Sequence, residues 1–306
     1  MISTRNNKID VLRGVALICI FIAHVNPPSV VFQLRNFDVV LMVFISGVCF
    51  SFNFIGGKVE NYIQSIIKRI KRIVYPVWLF LTLFFIVQFA LMNTYSLKEV
   101  LLSYSLISGI GFVWIFRVFI CVSILLPLFI VIENKSWFGL GVAILIVNLM
   151  PLSNKIYDVF IIQSVNYTLI AFLGYKLKQL KLSNYQRLFC FLLVCIVLLS
   201  FFYLGVDIQN YKYPPQLLYL LYGILMSIFL YSLKISGNRY IEFLGRNSMW
   251  LYLWHIPAIQ MADGLSLDFL SSFAFVLFFS VVICKIQIFL VNKFIANKRV
   301  SIFLLG

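Results

Sequence analysis

Stretches of about 20 apolar residues, the length that crosses a bilayer as a helix, recur along the chain between short polar or basic segments. The pattern predicts spans at Ile9 to Val25, Val30 to Ile55, Val74 to Met92, Gly111 to Ile132 and Trp137 to Leu152. Five more follow at Val159 to Tyr175, Leu188 to Gly205, Pro214 to Leu233, Ile241 to Met261 and Leu267 to Ile295. Connections are short, no soluble domain is inserted, and no internal repeat is visible, which argues against a transporter built from duplicated halves. The expected fold is all-α: a polytopic transmembrane helical bundle of about ten spans, forming one integral membrane domain over residues 1–306.

The basic residues orient that bundle. With the N-terminus in the cytoplasm, the cytoplasmic segments collect most of the 25 Lys and Arg, including Lys68, Arg69, Lys71 and Arg72 before the third span. The opposite side takes only Arg35, Lys98, Lys155 and Lys212, while Arg13, Arg117 and Lys285 fall within spans. This is positive-inside asymmetry, and it predicts an even number of spans with both termini cytoplasmic. The charged start and first apolar run look like a signal peptide. However, Asp10 and Arg13 interrupt the run and no small-residue cleavage site follows His24, so a retained first span is expected.

Composition agrees with lipid as the solvent. The chain is 62% hydrophobic and 11% charged, with a mean hydropathy of +1.01, against about 25% charged for an ordinary soluble domain. A net charge of +15 in a soluble protein would point to nucleic acid. Here it is read as membrane orientation, with lipid and no nucleic acid as partner. The six cysteines form no C-x-x-C pair and the only histidines are His24 and His255, so no metal set is expected.

Ionisable residues inside a bilayer cost about 2.5–3.5 kcal/mol each on insertion scales and are functional candidates by default. Asp10, Arg13 and His24 share the first span. Arg13 and His24 are eleven residues apart, about three turns plus 20°, so they lie on one helix face about 16 Å apart. Asp10 is placed to pair with Arg13. Asp38 opens the second span near the depth of His24, where a carboxylate could orient an imidazole or simply face water. Ser46 and Gly47, mid-span, suit close helix approach. Arg69 and Arg72 mark topology and also suit phosphate. Trp114 and Arg117 open the fourth span, where the arginine could snorkel outward or face a cavity. Tyr252 and His255 sit among aromatics that suit an interface belt or a sugar.

These residues carry a family resemblance. KIDVLRGVALICIFIAHV, with Asp10, Arg13 and His24 at their spacing, resembles the opening of the acyltransferase-3 family of integral membrane O-acyltransferases. FDVVLMVFISGVCF resembles the family's second-span motif through Ser46 and Gly47. IIKRIKRIVYP is similar to its basic stretch through Arg69, Arg72 and Pro76. FVWIFRVFICVSILLP resembles its Trp motif, and NSMWLYLWHIP its late element through Ser248, Tyr252 and His255. The resemblance runs from end to end, although some members add an extracytoplasmic hydrolase-like domain that this sequence lacks.

The resemblance implies a polysaccharide or lipopolysaccharide O-antigen O-acetyltransferase of the cell (inner) membrane. It would move an acyl group, usually acetyl, from cytosolic acetyl-CoA or another acyl-CoA to a hydroxyl of a glycan or lipid-linked sugar, with no bound cofactor. In that scheme His24 is the general base or an acyl relay, and Asp38 orients it. Arg13 is a donor-side clamp or a stabiliser of developing charge. Arg69 and Arg72 hold acyl-CoA. Asp10, Ser46, Trp114, Arg117, Tyr252 and His255 line the acceptor side or cavity. The rival expectation is a transporter or flippase for an acylated glycan, which would use the same charges without covalent chemistry.

Overall fold

The computed structural model describes residues 6–53, 59–110, 112–135, 139 and 158–305, and among these the regular structure is helical throughout. The expected fifth span, Trp137 to Leu152, lies outside the described residues except for Gly139. Each of the other expected spans coincides with helix, with two breaks and one extension. The chain falls into two compact units, Met1–Gly57 with Ile124–Arg246, and Lys58–Ser123 with Asn247–Gly306. Each unit is described by itself.

In the first unit, α1 (Asn7–Ala23) starts at Asn6, whose side chain accepts the Lys8 N–H, and ends at His24. The chain cannot continue helically through Asn26-Pro27-Pro28. Pro disfavours helix in the residue before it, and Asn26 takes the left-handed conformation with φ 50°, which asparagine tolerates better than most residues. The expected second span is broken into α2 (Ser29–Leu34) and α3 (Asp38–Asn53). The break falls at Arg35–Phe37, where the Asp38 carboxylate takes the Val39 N–H at 2.6 Å and supplies one of the acceptors a helix start needs.

The unit continues through α7 (Gln163–Lys176), entered by a π-helical turn at Asp158–Ile162, then α8 (Asn184–Tyr203), α9 (Leu217–Ser232) and α10 (Arg239–Arg246). α3 sits against α1, α7 and α9. Its approach to α7 is closed by glycine on both sides. A Cβ on Gly47 would fall 1.7 Å from the Ala171 carbonyl oxygen, and one on Gly174 would fall 2.1 Å from that of Phe44. The expected close approach at Ser46–Gly47 is thus observed. α10 packs on α1 in the same manner, with Gly14 beneath the Ile241 carbonyl and Gly245 beneath that of Asp10.

The second unit holds α4 (Val59–Ala90), α5 (Leu97–Tyr104), the start of α6 (Trp114–Lys135), α11 (Ser248–Gly264), α12 (Phe269–Phe294) and α13 (Lys298–Leu305). α4 begins well before the expected Val74. At 32 residues it is about 48 Å long, so its first turns, which carry the basic stretch, extend beyond a bilayer core of about 30 Å. The expected ninth span is also broken, at Asn247 between α10 and α11.

Among the described residues, five helical segments are long and apolar enough to cross a membrane: Ser29–Phe52, Ile66–Ala90, Trp114–Glu133, Asn184–Tyr203 and Phe269–Phe294. Two of them are barely packed against protein, with 11% of the apolar window buried in α8 and 22% in α12. Leu188, Phe189, Leu192, Ile196 and Leu199 stand exposed along α8. A continuous apolar face of that extent requires a non-aqueous neighbour, and lipid supplies it.

Candidate active site

The face of α1 that carries Arg13 and His24 is turned towards α3. Arg13 donates through Nη2 to Cys49 Sγ at 3.3 Å, and His24, half-buried at the end of α1, lies within electrostatic range of Asp38. Cys49 and Asp38 are themselves eleven residues apart on α3. The two helices therefore run antiparallel with their polar positions opposed, about three turns apart on each. Asp10 does not pair with Arg13 as its spacing suggested. It is buried, and its Oδ2 accepts from Arg246 Nε at 3.2 Å, while Arg246 Nη2 donates to Glu242 at 2.6 Å. Arg246 of α10 thus takes the place of the local i, i+3 partner, because the glycine-mediated packing of α10 brings it directly over Asp10.

Asp38 is the centre of a buried charge cluster. Its Oδ2 accepts from Arg35 Nη1 at 2.9 Å, and its Oδ1 accepts from Lys212 Nζ at 3.2 Å as well as from the Val39 N–H. The side chains of Arg35, Lys212 and Asp38 are 4%, 4% and 1% exposed. With these partners Asp38 belongs to an ion cluster, and His24 lies within its electrostatic range. Arg35 and Lys212, expected as outer-side charges, are core residues.

The loop carrying Lys212 is clipped to α2. Gln33 donates to Asp207 at 2.6 Å and accepts the Ile208 N–H at 3.0 Å, and Arg35 Nη2 donates to Gln209 at 3.3 Å. Lys212 lies outside the spanning helices. Burial draws its pKa below the ordinary lysine value while the Asp38 carboxylate pulls it back. Arg35 stacks on the Phe32 ring at 4.1 Å, and Lys212 lies 5.8 Å and 5.9 Å from the ring centres of Tyr213 and Tyr219. Cation–π contacts of this kind help to hold desolvated cations. Arg35 could have been read from its i, i+3 spacing to Asp38. Lys212, 174 residues further along the chain, has no sequence signal.

In the second unit, Trp114 opens α6, and Arg117 one turn later is buried. Arg117 Nη1 donates to the carbonyls of Leu106 at 3.2 Å and Ile107 at 2.8 Å, pinning the turn after α5, where Leu106 has φ 60°. It is buried against these carbonyls rather than extended outward. Tyr252 Oη donates to the Phe112 carbonyl at 2.6 Å. His255 is fully buried, its Nδ1 bonded to the Tyr252 carbonyl and its ring edge-on to Phe112. Tyr252 and His255 are therefore packed together in a core rather than lying in an interface belt. On the first turns of α4, Lys68, Lys71 and Arg72 are exposed and Arg69 is half-buried. Ser46, in the first unit, is buried at the α3–α7 approach.

Comparison with known proteins shows the family. The acyltransferase-3 family model, described as an acyltransferase domain, matches residues 6–286. No curated protein and no solved structure matches the chain. The match takes in the Arg13–His24 face, the Asp38 cluster, the basic start of α4 and the Tyr252–His255 core, and the exposed apolar helices require lipid. The chain belongs to the acyltransferase-3 family and is a membrane acyltransferase.

Proposed function

We propose that the protein is an O-acetyltransferase that moves an acetyl group from cytosolic acetyl-CoA to a hydroxyl of a cell-surface or lipid-linked glycan. It would act as a multi-pass protein of the cell (inner) membrane, with about ten spans and both termini cytoplasmic. The observation that carries the reading is His24, half-buried at the end of α1 beside a fully buried charge cluster. An imidazole that substrate can reach, next to fixed charges in a low-dielectric setting, is the equipment of a general base.

The acceptor hydroxyl gives its proton to His24 as its oxygen bonds to the acyl carbonyl carbon. The tetrahedral intermediate then expels the CoA thiolate, which takes the proton back from His24. Asp38 fixes the cluster beside His24. Arg13, held by Cys49 about 16 Å further along α1, faces the donor side. The phosphates of CoA meet Arg69 and Arg72 on the cytoplasmic turns of α4. Guanidinium forks match phosphate oxygens, and the exposed Lys68 and Lys71 add positive field.

The test uses labelled acetyl-CoA and membranes holding the protein together with its native glycans. Wild type is expected to label a glycan fraction. Replacing Arg69 and Arg72 together with alanine is expected to raise KM for acetyl-CoA between tenfold and a hundredfold. That follows from losing charge-assisted bonds of about 1.5–3 kcal/mol, at about 1.4 kcal/mol per tenfold. An unchanged KM would remove the donor role of this stretch, and no label from acetyl-CoA would remove acetyl-CoA as the donor.

A further inference from the structure

The Asp38 cluster contains one more cation than an ion pair needs. Asp38 is matched by Arg35 at 2.9 Å, yet Lys212 is also buried against it at 3.2 Å. Each buried charge carries a desolvation penalty that a single shared carboxylate only partly offsets, so a purely structural pair gains little from the second cation. The cluster also has hydrogen-bond donors to spare. Asp38 accepts one of the three N–H groups on Lys212, and the ring faces of Tyr213 and Tyr219 are the other polar partners of its ammonium. Arg35 Nε is buried with no hydrogen-bond partner.

Lys212 is not there by the accident of a loose loop. The Gln33–Asp207–Ile208 and Arg35–Gln209 contacts clip its loop to α2. The Arg13–Cys49 contact sets α1 against α3 so that His24 lies opposite Asp38, within electrostatic range of the Lys212 ammonium.

We propose that Lys212, held in place by Asp38 and Arg35, stabilises the negative charge that forms on the acyl carbonyl oxygen during transfer. The inference rests on reading His24 as the base. When the hydroxyl oxygen bonds to the carbonyl carbon, the carbonyl π electrons move onto oxygen, and the charge stays there until the C–S bond to CoA breaks and the thiolate leaves. A fixed cation with unused N–H donors, excluded from water, stabilises such a charge without reorganising as it forms.

The experiment measures transfer from labelled acetyl-CoA by the full-length protein in membranes that contain its glycans, for wild type, Lys212→Met and Lys212→Arg. Lys212→Met leaves Asp38 paired with Arg35, so the variant is expected to fold, which a melting curve in detergent checks. Should it not fold, Lys212→Gln is read in the same way. The expected result is a kcat about 100-fold lower for Lys212→Met, with KM for acetyl-CoA within about threefold, and at least a tenth of wild-type kcat in Lys212→Arg. A folded Lys212→Met variant that turns over like the wild type would overturn the inference. So would a loss confined to KM, which would mark Lys212 as a binding group for an anionic substrate. A wild type that transfers no label would instead fell the donor reading, and this inference with it.

Discussion

Asp38→Ala melts far below the wild type, by an amount corresponding to about 3–5 kcal/mol, the usual cost of breaking a buried ion pair by removing one partner. Arg35 and Lys212 are each 4% exposed, and without the carboxylate they face one another as like charges with no water to screen them. Asp38 also accepts the Val39 N–H at the start of α3, so the helix loses its first-turn acceptor in the same step. The specific sign of the cluster is a partial rescue. Asp38→Ala combined with Lys212→Met restores the net charge of the native cluster and regains part of the lost stability. Melting curves of the three proteins in one detergent provide the check. If Asp38→Ala melts with the wild type, the cluster does not hold α2, α3 and the Lys212 loop together.

The second large effect is at the α3–α7 approach. Gly47→Ala costs about 3 kcal/mol, the upper end of the range for overpacked sites. The added Cβ would sit 1.7 Å from the Ala171 carbonyl oxygen, a backbone atom that no side-chain rotation can move. The two helices must separate, which opens the buried face of α3 that carries Phe44, Ile45 and Val48. Gly174→Ala meets the Phe44 carbonyl from the other side and behaves in the same way. Gly264→Ala is the control. Nothing lies within 4 Å of its added Cβ, so its stability stays within about 0.5 kcal/mol of wild type. Equal melting temperatures for Gly47→Ala and Gly264→Ala would contradict the packing described.

Much of this architecture is legible in the amino-acid sequence because a helix in lipid obeys local rules. An apolar run of fixed length, a basic flank and a Ser-Gly pair all act within a few residues, and they pointed to helices and to a close approach at Ser46–Gly47, whose partner, α7, comes from the structure. The eleven-residue spacing of Arg13 and His24 likewise put both on the face of α1 that meets α3. What was not legible depends on partners distant in the chain. Asp10 was assigned to Arg13, its neighbour one turn away, but Arg246 takes it because Gly14 and Gly245 bring α10 onto α1. Arg35 and Lys212 looked like ordinary outer-side charges. Their burial follows from a contact to Asp38 that closes across 174 residues, which neither periodicity nor hydropathy encodes. His255 lies in an aromatic stretch that reads equally as belt or core, and only the packing of Phe112 and Tyr252 around it decides for core.

The Arg13–His24 face and the Asp38 cluster belong to one compact unit, and Arg69, Arg72 and the Tyr252–His255 core belong to the other. In the proposed reaction His24 and its charged surroundings act on the acceptor hydroxyl, and Arg69 and Arg72 bind the donor phosphates. Substitutions in the two should therefore separate kinetically. Changes around His24 and Lys212 lower kcat, whereas changes at Arg69 and Arg72 raise KM.

The central claim is that His24 removes the acceptor proton in an acyl transfer, and it is tested most directly by acetyl transfer from labelled acetyl-CoA. Membranes containing wild type or His24→Ala at matched expression are compared, with folding of both checked by size-exclusion profile in detergent. The account predicts a labelled glycan fraction with wild type and a rate at least about 100-fold lower with His24→Ala, the lower bound of what a positioned general base contributes. A folded His24→Ala protein that labels the glycan at the wild-type rate would contradict it.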